Sequence, residues 1–325
     1  MANTAVSVPA TVAANANLVD PGIKAVLSDN YKMLDAKFKK VFKDVDLRTT
    51  AETFAGYTGF GSIPLVAETE EFGEDASIHT YNTTFTAYKY GRNLPISYEL
   101  LEDDLTGSID MAKKATKSLT RKCETLSSSV FNNAFDTDYT SYGDGLPLCS
   151  TVHTRADGGS NQSNASATGI TLTEPNLETG ILATRNQLDD RGQLVSIVPD
   201  VLLVPPALEK EAIIITKSTN RSGTADNDLN VNNMREYTGG KLNVIVWDYL
   251  GAAAGGSDTA WFLLSSSDHE IGWGWRKKPG VKKLSDAVGA KNQVMYWQMY
   301  FRAAYGWRDW RGVWGSAGDA AAYSS

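Results

Sequence analysis

The feature of this sequence that most constrains its fold is an uninterrupted helical pattern from Asp110 to Asp136. Neither glycine nor proline breaks these 27 residues, so the pattern predicts a single rod of about 40 Å at roughly 1.5 Å per residue. A rod of this length must be covered along one side by apolar residues from elsewhere in the chain. Its small and apolar residues recur every three or four positions, at Ala112, Ala115, Leu119, Cys123, Leu126, Val130 and Ala134.

The composition provides enough apolar sequence to cover such a rod. Of 325 residues, 42% are hydrophobic and 21% are charged, which is typical of one large globular domain or two smaller ones and excludes wholesale disorder. The formal charge of −7 gives no global reason to expect a protein that reads DNA or RNA. No apolar run reaches the roughly 20 residues of a membrane span, and the two cysteines cannot form a disulfide framework. We therefore expect a soluble chain made in the cytoplasm.

The N-terminal segment combines a polar arm with a basic amphipathic helix. Residues 1–20 are small and polar and show no period, which favours a loose arm. From Pro21 to Val45 the apolar residues follow helical spacing. The polar face is either solvated or in contact with an anionic partner, and its lysines include Lys32, Lys37, Lys39, Lys40 and Lys43.

A long hairpin with an acidic tip is predicted next. Two β-like runs, 63–67 and 78–90, follow the glycines of residues 56–61. The glycine order G-x-x-G-x-G does not match a nucleotide-binding loop and favours a hinge at the hairpin base. Neither face of the second run is a convincing core face, so we expect the hairpin to lie on a neighbour, either within the chain or on another subunit. The tip carries Glu68, Glu70, Glu71, Glu74 and Asp75.

The second half of the chain alternates between helical and strand-like segments. Residues 137–169 are loop-like. A compact α/β-like region over about 170–275 contains three strand-like runs, namely Ile197–Val204, Leu242–Trp247 and Ala260–Ser265. The basic run Arg276–Lys283 is either a solvated loop or a phosphate contact. The tail from Lys291 to Trp314 is rich in tyrosine and tryptophan, a composition that favours a strand.

Catalytic and metal-binding motifs are weak. Cys149 and His153 are four residues apart, but no second Cys/His pair completes a tetrahedral set. A hydrolase using His153 or His269 is the remote alternative, since no G-x-S-x-G elbow fixes a nucleophile. We predict no enzyme activity, no metal and no cofactor.

The order of these elements resembles the HK97-type major capsid proteins of tailed bacteriophages, in particular the Mu-like head-subunit family. The resemblance covers nearly the whole chain and rests also on the segments Val198–Ala207, Leu242–Trp247, Ala260–Leu264 and Arg302–Trp307. It implies an α+β fold with an N-terminal arm and helix over 1–51, an E-loop hairpin over 52–93, a P domain over 94–169 with its spine helix at 110–136, an A domain over 170–275, and return strands with a C-terminal tail over 276–325.

The resemblance also implies a function and a set of partners. Such a chain is a structural protein that self-assembles through hexamers and pentamers into an icosahedral shell around phage genomic DNA. Assembly in the host cytoplasm would involve a portal, a decoration protein and a separate scaffolding protein, since only about 50 residues precede the hairpin. We do not expect the Lys–Asn crosslinks of some members, because the only hairpin lysine, Lys89, lies near the base. An encapsulin-type compartment that encloses cargo enzymes is the nearest alternative.

Two groups of residues are candidates for contacts in such a shell. The tip carboxylates Glu68, Glu70, Glu71, Glu74 and Asp75 repel one another unless they are solvated or paired, so we expect them to meet a basic surface on a neighbour. The helix lysines Lys37, Lys39, Lys40 and Lys43 are expected to face the interior and to contact scaffold or double-stranded DNA without sequence specificity.

Overall fold

The computed structural model describes residues 36–97, 107–217, 242–284 and 294–319. Within these ranges the chain has a mixed α+β fold, as predicted. The predicted arm over 1–20 and most of the predicted helix, including Lys32, lie outside the described residues.

The elements are numbered along the chain. The helices are α1 Phe38–Val41, α2 Gly107–Asn132, α3 Glu174–Arg185 and α4 Glu209–Lys217. The strands are β1 Lys43–Asp46, β2 Ala51–Phe54, β3 Thr83–Thr86, β4 Tyr88–Ser97, β5 Val201–Val204, β6 Asn243–Val246, β7 Trp261–Leu264, β8 Ile271–Lys283, β9 Val294–Trp307 and β10 Val313–Ser316.

One sheet has the order β1-β8-β9-β4. The aromatic tail forms β9, as predicted, and alternate side chains such as Trp297, Phe301 and Trp307 are buried because the side chains of a strand point to its two faces in turn. β9 pairs antiparallel with β4 over ten residues and with β8 on its other side. The basic run 276–283 belongs to β8, so its interpretation as a loop is wrong. The β8–β9 register shifts on either side of Lys277, beside Pro279, which cannot donate a ladder hydrogen bond.

A second sheet has the order β10-β7-β5-β6 and confirms the predicted strands between 197 and 265. The strands β5, β7 and β10 are buried at every position. β5 and β6 are parallel, and Leu177 and Ile181 of α3 pack in one cluster with Trp261 and Trp314. β10 completes this sheet by pairing with β7. The tail therefore does more than return to the first half of the chain, because β9 joins one sheet and β10 the other.

The predicted long helix is present as α2 and packs against both sheets. Phe131 contacts the ring of Phe262 from β7 at a centroid distance of 5.2 Å, and it belongs to the same core cluster as Phe301 of β9. The helix ends at Asn132 rather than at Asp136. A tighter turn follows, in which the Ala134 amide bonds the Phe131 carbonyl at 3.2 Å.

The N-terminal helix prediction is wrong at its C-terminal end. The helix stops at Val41, and residues 43–46 form β1, which runs parallel to β8 from the pair Lys43↔Gly272 to the pair Asp46↔Trp275. Helical spacing over so few residues is overridden here by pairing with a strand more than 200 residues away.

The hairpin is built differently from the prediction. Its strands are β2 and β3, which pair antiparallel from Ala51↔Thr86 to Phe54↔Thr83, and the predicted first run, 63–67, is not a strand. The prediction that neither face of the second run is a core face is also wrong. Thr83, Phe85 and Ala87 are buried.

Candidate functional site

The base of the hairpin is fixed to the first sheet. Phe85 packs in a small apolar cluster with Leu47 and with Ala304 of β9. Beyond β2 and β3 the two arms stay together because Thr80 donates its amide to the carbonyl of Gly56 at 2.8 Å. A Cβ at Gly56 would lie 2.0 Å from the Thr80 hydroxyl, so glycine is needed for this close approach. These contacts therefore fix the point at which the hairpin leaves the sheet.

The distal part of the hairpin exposes large apolar side chains. Ile63 is 91% exposed, Leu65 100% and Phe72 82%, and Phe60 lies near them in sequence with its ring exposed. Exposed apolar residues gathered on one element are typical of a surface that another protein covers. This surface was not predicted from the sequence, because 63–67 has the pattern of a strand, in which alternate residues are covered.

The carboxylates of the acidic tip point in two directions, toward solvent and toward the body of the chain. Glu68, Glu71 and Glu74 are exposed, and Glu70 is exposed although its carboxylate accepts a hydrogen bond from the Ala67 amide at 3.1 Å. Asp75 instead turns back toward its own chain. Its carboxylate receives hydrogen bonds from Arg191 and from the Gly61 amide, and these interactions lower the pKa of Asp75.

Arg191 forms hydrogen bonds with the returning arm of the hairpin. Its Nη1 lies 2.7 and 2.8 Å from the two carboxylate oxygens of Asp75, its Nε donates to Thr58 Oγ1 at 3.2 Å, and its Nη2 donates to the Ala76 carbonyl. Asp189 shapes the loop that presents it by accepting the Arg191 amide at 2.8 Å. A lone arginine in a loop gives no sequence signal for such a role, so Arg191 was not predicted from the sequence.

The four candidate lysines do not share one environment. Lys37 forms an ion pair with Asp248 at 2.9 Å, and Lys43 donates to the Ser267 carbonyl at 2.7 Å. Lys39 and Lys40 lie on the exposed side of α1. Exposed basic residues also occur on β8, at Arg276, Lys277, Lys278 and Lys282.

A second basic surface lies where β4 passes α2. Lys89, Arg92 and Lys122 line a cleft of about 420 Å³ together with Tyr90. The ammonium of Lys122 lies 5.5 Å from the centre of the Tyr90 ring, and that of Lys89 lies 5.7 Å from the Tyr300 ring. This cleft offers cations to an anionic partner, and the Tyr90 and Tyr300 rings help to position two of the lysines.

A buried carboxylate joins the N-terminal segment to the long helix. Glu124 of α2 accepts a hydrogen bond from the Trp247 indole at 2.7 Å and receives the backbone amides of Lys37 and Phe38. Burial raises the pKa of Glu124 despite these bonds, which act in the opposite direction. Glu124 therefore supplies the side-chain partner for amides at the start of α1.

The histidines named as hydrolase candidates are structural. His153 is fully buried, with its ring nitrogens 2.8 Å from Asp144 and 3.2 Å from Asn164, and its ring stacks on Trp310 at 4.3 Å. Burial and the nearby charge of Lys43 lower the pKa of His269 to about 4. Burial also raises the pKa of the Cys149 thiol. Among the described residues no three or more His, Cys, Asp or Glu side chains gather as metal ligands would.

Each helix in the described part of the chain is either too short or too polar to span a lipid bilayer.

Known proteins were compared with this sequence and this fold. A family model described as phage capsid protein matches residues 80–316, whereas no curated protein is a significant match. A solved chain from Mycobacterium phage Patience has a TM-score of 0.54 at 11% identity, and the match covers 100% of this chain and 96% of that one. A chain from Mycobacterium phage Bobi has a TM-score of 0.53 at 16% identity, covering 86% and 89%. The capsid of an empty GTA particle gives 0.52 at 12% identity, covering 89% and 97%. At these identities the likeness concerns the fold, and it extends over most of each chain.

Proposed function

This chain belongs to the phage capsid protein family, and from that premise we propose that its hairpin links each subunit to the next in a closed icosahedral shell around phage genomic DNA. It is a structural protein of the virion capsid and not an enzyme. The observation that supports the role of the hairpin is the exposure of Ile63, Leu65 and Phe72. A shell would bury this apolar surface, which a lone subunit leaves in water.

The shell is proposed to have the organisation of HK97-type capsids, with hexamers and pentamers built around the A domain. In this proposal the hairpin is the E-loop, α2 is the spine of the P domain, and the region around the β10-β7-β5-β6 sheet is the A domain. Membership of the Mu-like subfamily is part of the same proposal. No Lys–Asn crosslink is proposed, since Lys89 lies at the base of the hairpin in β4.

The four exposed glutamates of the tip, with Asp75, are proposed to meet a basic surface on the neighbouring subunit. Charge complementarity favours the cleft lined by Lys89, Arg92 and Lys122 or the exposed side chains of β8 as the receiving surface. Asp75 is already engaged by Arg191 within its own chain, so Glu68, Glu70, Glu71 and Glu74 supply most of the charge available to a neighbour.

The lysines around α1 are proposed to contact packaged double-stranded DNA or a separate scaffolding protein inside the shell. Lys39 and Lys40 are exposed and suit this role best. Lys37 and Lys43 are half-buried and would add to the local positive potential. Contacts with phosphates would be weak one by one, dependent on salt and independent of base sequence. A portal, a decoration protein and assembly in the host cytoplasm complete the proposal.

The experiment that tests assembly is negative-stain microscopy of the purified protein, combined with size-exclusion chromatography. We expect closed shells from the wild-type chain and smaller species from the triple variant Ile63→Ser/Leu65→Ser/Phe72→Ser. The matched control is Leu182→Ser/Ile213→Ser, which changes exposed apolar residues far from the hairpin in sequence. Shells formed equally well by all three proteins would contradict the role given to the hairpin.

The content of the particles separates phage shells from encapsulin-type compartments. The family match favours the phage shell. Particles from infected or lysogenic cells that contain DNA would agree with it, and particles that contain a cargo enzyme without DNA would overturn it.

A further inference from the structure

Between its base and its tip, the hairpin has little structure of its own to fix its direction. Residues 58–78 form no strand, and the last backbone bridge between the two arms is the pair Tyr57↔His79. A segment without a hydrogen-bonded ladder has low local stability and takes many orientations unless another element holds it.

Arg191 holds this segment from the body of the same chain. Its guanidinium donates to four oxygen atoms on three hairpin residues, namely Thr58 on the outgoing arm and Asp75 and Ala76 on the returning arm. The Arg191 side chain is only 12% exposed. Because one planar group joins both arms to the loop at 189–193, the contact fixes a direction as well as a distance.

The glycine run of the hairpin fits this contact. The Gly61 amide donates to Asp75 Oδ2 at 2.5 Å, and a Cβ at Gly61 would lie 2.9 Å from Arg191 Nη1 and 3.2 Å from Asp75 Oδ2. Any side chain at this position would crowd the pair. The glycine at 61 therefore makes room for Arg191, a role that the hinge interpretation does not include.

We propose that Arg191, Asp75, Thr58 and Gly61 form a clasp that sets the orientation of the hairpin before it meets a second copy of the chain. The proposal rests on the proposed function, since it concerns how the hairpin is presented for assembly. Arg191 is a positioning residue in this scheme: it touches the hairpin of its own subunit, while Ile63, Leu65 and Phe72 are left exposed to the neighbour. A hairpin that is already ordered loses less conformational freedom on docking, so assembly begins at a lower subunit concentration.

The test compares two single-residue changes that remove the same charge from neighbouring positions. Asp75→Asn breaks the ion pair of the clasp, whereas Glu74→Gln removes one carboxylate from an exposed position outside it. Two quantities are measured: hydrogen exchange of residues 58–78 in the unassembled subunit, and the subunit concentration at which light scattering reports assembly.

We expect Asp75→Asn to speed exchange across residues 58–78 and to raise the assembly concentration by about three- to fivefold, as the loss of a partly exposed ion pair can do. Glu74→Gln should leave exchange at the wild-type rate, and any effect it has on assembly measures tip charge alone. Arg191→Ala and Gly61→Ala should behave as Asp75→Asn does.

Several results would overturn the clasp. Equal effects of Asp75→Asn and Glu74→Gln on assembly would mean that Asp75 acts only as tip charge. Assembly of Arg191→Ala at or below the wild-type concentration would mean that the contact does not assist docking. If Arg191→Ala fails to fold, Asp75→Asn decides. If the wild-type chain forms no particles even with a separate scaffolding protein present, the proposed function fails, and the exchange data still show whether the clasp orders the hairpin.

Discussion

Replacing His269 by asparagine should make the subunit less sensitive to acid. His269 is buried just before β8, and its Nδ1 accepts the amide of Ile271 at 3.3 Å. Burial, together with the charge of Lys43, lowers its pKa from 6.5 to about 4, while Asp200 and Asp268 act in the opposite direction. Since the folded state resists the proton that the unfolded chain accepts, stability is lost as pH falls through this window.

The size of the effect follows from the two pKa values, 6.5 and about 4. Each unit of difference corresponds to about 1.36 kcal/mol, so the full loss approaches about 3 kcal/mol once the pH is below both values. At pH near 5, where most carboxylates are still ionised, about 2 kcal/mol should already be lost. Asparagine does not titrate, and its side-chain oxygen can accept the Ile271 amide. The variant should therefore lack this part of the acid dependence.

The assay is equilibrium urea unfolding of dissociated subunits, followed by tryptophan fluorescence near pH 7.5 and near pH 5. The absolute stability of His269→Asn will differ from wild type because the side chain is smaller, so the quantity of interest is the change between the two pH values. His79→Asn, at an exposed position, is the matched control and should lose as much stability as wild type. Equal losses in wild type and His269→Asn would refute the reasoning.

Three further changes test other parts of the structure. Glu124→Gln should be at least as stable as wild type at pH 7, because it removes a buried charge and keeps an acceptor for Trp247; the advantage should shrink near pH 4.5, where the raised pKa lets the carboxyl bind a proton. Phe85→Ala should lower the unfolding free energy by about 3–5 kcal/mol in urea titrations, since it empties a buried aromatic site at the hairpin base. Lys39→Gln/Lys40→Gln should leave shells able to form but should let them lose DNA at lower salt, as an agarose-gel assay of particles would show.

For each of these three predictions there is a result that would contradict it. A loss of more than about 1 kcal/mol in Glu124→Gln at pH 7 would mean that the charge itself holds the Trp247 and backbone bonds. If Phe85→Ala lowers the unfolding free energy no more than a substitution at an exposed position does, the hairpin base adds little to stability. For the lysine pair, the control is Lys210→Gln/Lys217→Gln, which removes two charges from α4. An equal effect of the control would show that only net charge matters.

The parts of the fold that the sequence predicts well are those that local spacing determines. The long helix follows from a period of 3.6, the strands near Leu202 and Phe262 follow from short continuous apolar runs, and β9 follows from its aromatic composition. The errors occur where a distant strand decides the outcome. Lys43 continues a helical pattern but lies in β1 because β8 is beside it, and the lysines of β8 lie in a strand because β9 supplies the ladder.

The candidate site was less predictable for the same physical reason. The acidic tip is visible in the sequence, because like charges concentrated in eight residues stand out. Arg191 is not visible, since its partner Asp75 lies 116 residues away and no local period connects them. Glu124 is hidden in the same way, because Trp247 is 123 residues distant. The burial of Phe85 was missed because it needs Ala304, which belongs to the last quarter of the chain.

The C-terminal tail controls the hairpin at both of its attachment points. At the base, Phe85 packs with Ala304 of β9. Beyond β9, the buried Arg311 pairs with Asp190 at 2.9 Å and donates to the Leu188 carbonyl at 2.7 Å, which fixes the loop that presents Arg191. The direction of an element near residue 70 is thus determined by residues after 300. Arg311 lies between β9 and β10, which belong to different sheets. The loop that presents Arg191 is therefore tied to the junction of the two sheets, whereas the hairpin base is tied to the first sheet.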